Sequence, residues 1–154
     1  MRRFDLTTQT PGLQFALGFD QSNGLRRASA LAVMPGATGT IAVSRSNAST
    51  AIYDGDVQRP QTQNNNGSLA FRSASTLYVA NGSIARMNVS ASGLSLINTV
   101  LTNSGGNILY DNGLVYMSGG AVLDAENGSI KGIFTNASSN GAMFLDSAAG
   151  RIFF

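Results

Sequence analysis

The chain contains no cysteine, no histidine and no tryptophan among its 154 residues. Without cysteine it has no disulfide framework and no thiolate that could act as nucleophile or metal ligand. Without histidine it lacks the commonest metal ligand and the usual general base at neutral pH. We therefore expect a protein that is not an enzyme and that carries no metal or other cofactor.

Charge is also scarce. Charged residues make up 12% of the chain, against about 25% in a typical soluble domain. The formal net charge is only +2, which predicts no strong electrostatic field for nucleic acid or an anionic membrane surface. No stretch approaches the roughly 18 consecutive apolar residues that a membrane helix needs. Neither nucleic acid nor a membrane is expected as a partner.

The chain does contain many short alternating apolar runs separated by turn residues. Residues 75–101 give a complete example, in which two runs flank the turn Asn81-Gly82-Ser83 and a second turn at residues 90–93 leads into a third run. Alternation with period two indicates β-strands, and Asn-Gly or Asp-Gly between two runs indicates tight hairpin turns. No window has the apolar spacing of a helix, so the sequence predicts an all-β fold of antiparallel strands.

The runs recur with a regular period. The first strand of each unit begins at Leu31, Leu69, Ile108 and Met143. A period near 35 to 45 residues with four short strands in each unit is the signature of a propeller blade. The chain is predicted to be a single domain, 1–154, whose blades cover approximately residues 28–63, 67–101, 106–135, and 141–154 together with 1–18.

The fourth unit is split between the two ends of the chain. Residues 141–154 supply only two strands, and the missing third and fourth strands are predicted at the N-terminus. There Arg3-Phe4-Asp5 matches the end of a third strand, and residues 13–17 alternate well enough to be the fourth. The sequence therefore predicts four blade-equivalents, one of which must be completed by both ends of a chain.

The segment LYVANGS, residues 77–83, resembles the YVTN-type repeat of bacterial surface and periplasmic propellers. Residues 2–18 (RRFDLTTQTPGLQFALG) and 146–154 (DSAAGRIFF) resemble pieces of long bacterial seven-bladed propellers. The resemblance implies a β-propeller fold, and an extracellular or periplasmic location if the chain belongs to a longer secreted protein. It covers nearly the whole chain, which has about half the blades of such a ring and would fit an excised or engineered piece.

Three arrangements of the four blade-equivalents follow. Two chains could form one eight-bladed ring, in which the split blade is completed between chains. One chain could close on itself as a four-bladed ring, as hemopexin-like domains do, or it could remain an unclosed piece. We favour the first arrangement and expect a non-enzymatic scaffold or interaction module that self-associates as a homodimer.

The alternative is a glycan-binding, lectin-like propeller, in which Tyr53, Tyr78, Tyr110 and Tyr116 would line a sugar site. Most of these tyrosines lie at strand positions, where core packing between blades explains them better.

Few polar residues are candidates for chemistry. Asp5, Asp54, Asn88 and Asp124 stand at the predicted junctions between third and fourth strands, where we interpret them as structural turn caps that bind backbone amides, not as calcium ligands. Without histidine, only Lys131 or a carboxylate could serve as a catalytic base. The carboxylates considered for that role were Asp111, Asp124, Asp146 and Glu126, all of which lie beside predicted turns.

Overall fold

The computed structural model describes residues 1–21, 24–46, 49–104, 106–138 and 141–154. Within these ranges every regular element is a β-strand, so the predicted all-β class is confirmed. Three antiparallel sheets have four strands each, in sequence order from one edge to the other. We call them sheet A (β5 Ala28–Met34, β6 Ala37–Arg45, β7 Ser49–Asp54, β8 Val57–Gln58), sheet B (β9 Ser68–Ser73, β10 Thr76–Ala80, β11 Gly82–Ser90, β12 Gly93–Ser104) and sheet C (β13 Ile108–Asp111, β14 Leu114–Met117, β15 Ala121–Asp124, β16 Ile130–Ile133).

Three two-stranded hairpins accompany the sheets. The N-terminal hairpin joins β1 (Arg2–Asp5) to β2 (Thr10–Gln14), and the C-terminal hairpin joins β17 (Phe144–Asp146) to β18 (Arg151–Phe153). A very short pair, β3 (Phe19–Asp20) and β4 (Gly24–Leu25), lies in a segment that the sequence predicts as loop. In the described part of the chain β1 pairs only with β2 and β18 only with β17.

Two strands predicted in the first half of the chain have other bounds in the structure. The predicted strand 13–17 is replaced by β2, which ends at Gln14, because Phe15 and Leu17 pack their side chains against sheet A. The sequence of residues 57–62 predicts a weak edge strand, but the structure has only β8 there, which ends at Gln58. Pro60 follows and cannot donate a ladder hydrogen bond, which accounts for the early end.

The sheets stack face to face in chain order, with an apolar cluster between each pair. Phe15 and Leu17 of the N-terminal segment cover one face of sheet A, including Val43 and Tyr53. Sheets A and B enclose a cluster that includes Ile52 and Leu77. Sheets B and C enclose a third cluster, which contains Tyr78, Ile84, Ile108, Val115 and Leu123. Sheets A and B therefore each have an apolar cluster on both faces.

The first strands of successive sheets lie beside one another. Strand β5 contacts β9, and β9 contacts β13. The amide of Ile108 in β13 donates a hydrogen bond of 3.0 Å to Oγ of Ser68 in β9. A cavity of about 340 Å³ is lined by residues of these three strands together with Ala142 and Met143, which precede β17. The first strands of the three sheets and the residues just before β17 therefore lie on the same side of the stack.

A hydrogen-bonded connector holds sheets A and B at a fixed separation. Gln61 donates from its amide to the carbonyl of Ser92 (2.7 Å), and its carbonyl accepts from the amide of Leu94 (3.1 Å). The backbone of Gln63 exchanges two hydrogen bonds with Thr50 of β7. Gly93 has a positive φ of 123°, and a Cβ atom placed there would lie 2.1 Å from the carbonyl oxygen of Gln61. Only glycine fits this contact without displacing the backbone of the connector.

We predict that Gly93→Ala lowers the free energy of unfolding by about 2–3 kcal/mol, because it adds both backbone strain and a clash with backbone atoms. Gly132→Ala is the matched control, since Gly132 has an ordinary φ and open space around its Cβ position. Urea unfolding followed by circular dichroism measures both variants. Equal stability of the two variants would contradict the assigned contact.

Candidate self-association surface

Sheet A is covered on only part of its outer face. The N-terminal segment packs against residues of β6 and β7 on that face, such as Val43 and Tyr53. The first strand, β5, is less covered there, and its residues Leu31 and Val33 are 54% and 58% exposed. An opening of about 300 Å³ lies between β5 and the N-terminal hairpin, with Phe4 and Ile41 among its lining residues.

Sheet C is covered on the complementary part of its outer face. Leu145 and Ile152 of the C-terminal hairpin share a cavity of about 290 Å³ with Asp111 and Tyr116, which belong to the first two strands of sheet C. On this side Val122 of the third strand is buried, whereas Ile133 of the fourth strand is 63% exposed. A second opening of about 440 Å³ lies over them, lined by Leu114, Tyr116, Val122, Lys131, Gly132, Ile133 and Phe134.

Equivalent positions in the middle of the stack show what covers such residues. Leu31 is equivalent to Leu69 and Ile108 in the repeat. In the cross-strand register these three residues stand opposite Val43, Val79 and Met117 of the second strands. Leu69 and Ile108 are only 8% and 2% exposed, because the preceding sheet packs on them. Leu31 therefore occupies a core position from which the covering strand is absent.

The C-terminal hairpin has an uncovered apolar face of its own. Phe144 and Phe153 are opposite each other in the register, with ring centroids 6.3 Å apart. They are 65% and 54% exposed, while their neighbours Leu145 and Ile152 point towards sheet C. The Phe144–Phe153 pair thus lies on the face that, in sheets A and B, packs against the next sheet.

The two hairpins also carry complementary unpaired strand edges. In sheets A, B and C the second strand pairs with the third. In each sheet one residue of the second strand stands opposite an Asp or Asn of the third: Thr40 with Asp54, Thr76 with Asn88, and Leu114 with Asp124. Transferred to the hairpins, this register sets Arg151 of β18 opposite Asp5 of β1. The opposed charges are favourable for a directly facing cross-strand pair.

The four predicted turn caps have different surroundings. Oδ1 of Asp5 accepts hydrogen bonds from the amides of Thr7 (2.8 Å) and Thr8 (2.9 Å), which hold the pKa of its carboxyl below the usual value. Oδ1 of Asp124 accepts from the amides of Glu126 (2.9 Å) and Asn127 (3.2 Å). Asn88 lies within β11, opposite Thr76 and Ser95, and not in a turn. The pairing of β11 with β12 continues regularly past Asn88 as far as Ser90, which stands opposite Gly93.

Asp54 binds side chains. Its carboxylate accepts two hydrogen bonds from Arg59, at 2.8 Å from Nε and 2.9 Å from Nη2, and one of 2.6 Å from Oγ1 of Thr40. These bonds, first of all those from Arg59, lower the pKa of Asp54 to about 2. Arg59 also donates from Nη1 to the carbonyl of Ser90 in sheet B, at 2.7 Å. Asp54 thereby orients a side chain that links two sheets.

The residues considered for catalysis are dispersed. Glu126 binds two arginines of sheet B, Arg72 and, at 2.6 Å, Arg86. Lys131 lies 3.3 Å from Asp124 in an exposed ion pair. Asp111 and Asp146 both border the cavity below the C-terminal hairpin. Asp146 Oδ1 accepts from the amide of Ala149 at 3.0 Å, and Asp111 Oδ2 accepts from the side chain of Asn112.

Most of the tyrosines pack in the core. Tyr53 and Tyr78 are buried, and Tyr78 donates a hydrogen bond of 2.8 Å to the carbonyl of Ala125. Burial is the main reason that the pKa of Tyr78 is raised. The ring of Tyr110 stacks on that of Tyr78 at 5.9 Å. Tyr116 alone of the four borders an opening at the end of the stack, over sheet C.

No known family model matches the chain, and no curated protein matches its sequence. A search of the described residues finds no group of three or more carboxylates, histidines or cysteines placed to hold a metal ion. The same ranges contain no helix long and apolar enough to cross a membrane.

Sequence reasoning did not identify Leu31, Val33, Phe144 and Phe153 as surface residues of interest. A comparison of equivalent positions in the repeat could have identified them. The positions of Leu31, Phe144 and Phe153 are buried in sheet B, at Leu69, Ala70 and Tyr78, and the position of Val33 is partly buried there, at Phe71. All four residues adjoin the unit that is split between the ends of the chain.

Because the folded pKa of Asp54 is depressed from 3.8 to about 2, its contribution to stability is full above about pH 4 and is lost as the pH falls towards 2. Its side chain is 49% exposed, so solvent screening reduces that contribution to roughly 1 kcal/mol or less. We predict that Asp54→Asn lowers stability at pH 7 and flattens the decline of stability between pH 4 and 2.

Lys131→Gln, which breaks an exposed ion pair, is the matched control and should change stability at pH 7 by no more than a few tenths of a kcal/mol. Chemical unfolding at a series of pH values measures both variants. An Asp54→Asn curve parallel to that of the wild type over pH 4 to 2 would contradict the assigned interaction.

Proposed function

We propose that this chain is a non-enzymatic scaffold of the β-propeller class that self-associates through its terminal hairpins, with two copies forming one eight-bladed ring. The observation that carries the proposal is the complementarity of the two end faces. At one end Leu31 and Val33 of the first strand of sheet A are exposed, and at the other Ile133 of the fourth strand of sheet C is exposed beside an opening.

The hairpins supply the missing half of each other's sheet. Joining β18 to β1 gives the strand order β17-β18-β1-β2, which is the antiparallel order of the four-stranded sheets A, B and C. The C-terminal hairpin then serves as the two inner strands and the N-terminal hairpin as the two outer strands. The unpaired backbone groups of β1 and β18 become hydrogen-bonded to each other, which removes two exposed strand edges.

Two copies can satisfy this arrangement with a closed two-fold symmetry. Each chain gives its C-terminal hairpin to one junction and its N-terminal hairpin to the other, so both ends of both stacks are covered. Each hairpin already packs against its own end of the stack, at sheet A or at sheet C. Association therefore needs no rearrangement of the three complete sheets.

The distribution of polar groups supports a scaffold in preference to an enzyme. Asp54, Asp124 and Glu126 bind arginines, a lysine or turn amides. The buried tyrosines, Tyr53 and Tyr78, contribute to packing between sheets. Leu31, Val33, Phe144 and Phe153 are exposed, and the proposed junction would bury them.

We predict a native mass of about 32 kDa, twice the 16.0 kDa of one chain. Phe4→Asp should weaken association more than tenfold, because Phe4 borders the opening over β5 that the proposed junction fills, and a carboxylate there would be buried without a partner. Analytical ultracentrifugation over a concentration series measures the dissociation constant.

Leu6→Asp is the matched control, because Leu6 is 84% exposed in the turn between β1 and β2, outside the paired strands. It should associate like the wild type. A wild-type chain that sediments as a monomer at all concentrations would contradict the two-copy ring, and equal effects of the two substitutions would contradict the placement of β1.

A further inference from the structure

The contact between sheets B and C provides a template for the junction between two copies. The ring of Tyr78, in the second strand of sheet B, stacks on that of Tyr110, in the first strand of sheet C, at 5.9 Å. Ala70 and Ile108, from the first strands of the same two sheets, belong to the same apolar cluster. Two residues from each sheet thus form the inner part of this contact.

The register identifies the equivalent residues at the ends of the chain. Tyr78 stands opposite Ala70, and Phe153 stands opposite Phe144 in the same way. On the receiving sheet, Tyr110 and Ile108 stand opposite Val115 and Met117. Val33 and Leu31 stand opposite Ile41 and Val43 in the same relation. The Phe144–Phe153 pair therefore corresponds to Ala70 and Tyr78, and the Leu31–Val33 pair to Ile108 and Tyr110.

We propose that Phe144 and Phe153 of one copy insert into the opening over β5 of a second copy and pack against its Leu31 and Val33. The inference rests on the proposed self-association and specifies which side chains form its apolar centre. The opening has a volume of about 300 Å³ and is lined mainly by apolar side chains, with Arg2, Arg3 and Thr38 at its border.

A second copy of the chain fits this opening better than an unrelated partner does. The uncovered aromatic pair and the uncovered aliphatic pair occupy the two sets of positions that contact each other between sheets B and C. The same docking brings Arg151 opposite Asp5 and pairs the free edges of β18 and β1. Apolar packing, charge and backbone pairing are thus satisfied by one register.

The absence of cysteine from the chain allows a direct cross-linking test. One preparation carries Phe153→Cys and a second carries Val33→Cys; they are mixed, allowed to exchange subunits, and treated with a short bis-maleimide. Val57→Cys replaces Val33→Cys in the control mixture, since Val57 is similarly exposed but lies in the outermost strand of sheet A. Circular dichroism confirms that each variant is folded.

We expect a covalent dimer in most molecules of the 153/33 mixture and at least tenfold less in the 153/57 mixture. A chain that carries both Phe153→Cys and Val33→Cys and cross-links only within itself would overturn the second copy as occupant and indicate a four-bladed ring. A dimer by native mass without a preferred 153/33 cross-link would overturn the proposed contact but leave self-association standing. A monomer by native mass would overturn both.

Discussion

Each sheet of this protein is apolar on both faces, and burial of both faces is the constraint on which the rest of the structure depends. A small twisted sheet gains most of its stability from the area that its faces remove from water. Sheet B meets the constraint fully, because Leu77 packs towards sheet A while Tyr78 packs towards sheet C. Sheets A and C bury their outer faces only in part, so apolar side chains are exposed at both ends of the stack.

Polar contacts fix how closely the sheets approach and which sheets are neighbours. Glu126 of the β15–β16 turn binds Arg72 and Arg86 across the gap to sheet B. The hydroxyl of Tyr78 is satisfied by a carbonyl of the same turn. Arg59 and the connector at Gln61 perform the corresponding role between sheets A and B. These contacts fix the alignment of each sheet on the next. The proposed junction applies the same alignment to the hairpins at the two termini.

Much of the local structure could be predicted from the sequence, because alternation and turn chemistry are encoded over a few residues. The run of alternating apolar residues at 28–34 is β5 as predicted, and Asn112 and Gly113 both have the positive φ of a two-residue hairpin turn. What depends on distant packing could not be predicted. The convergence of Arg72 and Arg86 on Glu126 requires knowledge of which sheets face each other. The end of β2 at Gln14 reflects the packing of Phe15 against Tyr53.

The central claim is that β18 of one chain pairs with β1 of another. Isotope-filtered nuclear Overhauser spectroscopy on a mixture of two differently labelled, deuterated preparations tests it directly, because it records only contacts between chains. The account predicts interchain cross-strand contacts between the backbones of Arg151–Phe153 and Arg2–Asp5, with Arg151 opposite Asp5. Contacts between these strands that appear only within uniformly labelled chains, or no contacts at all, would contradict it.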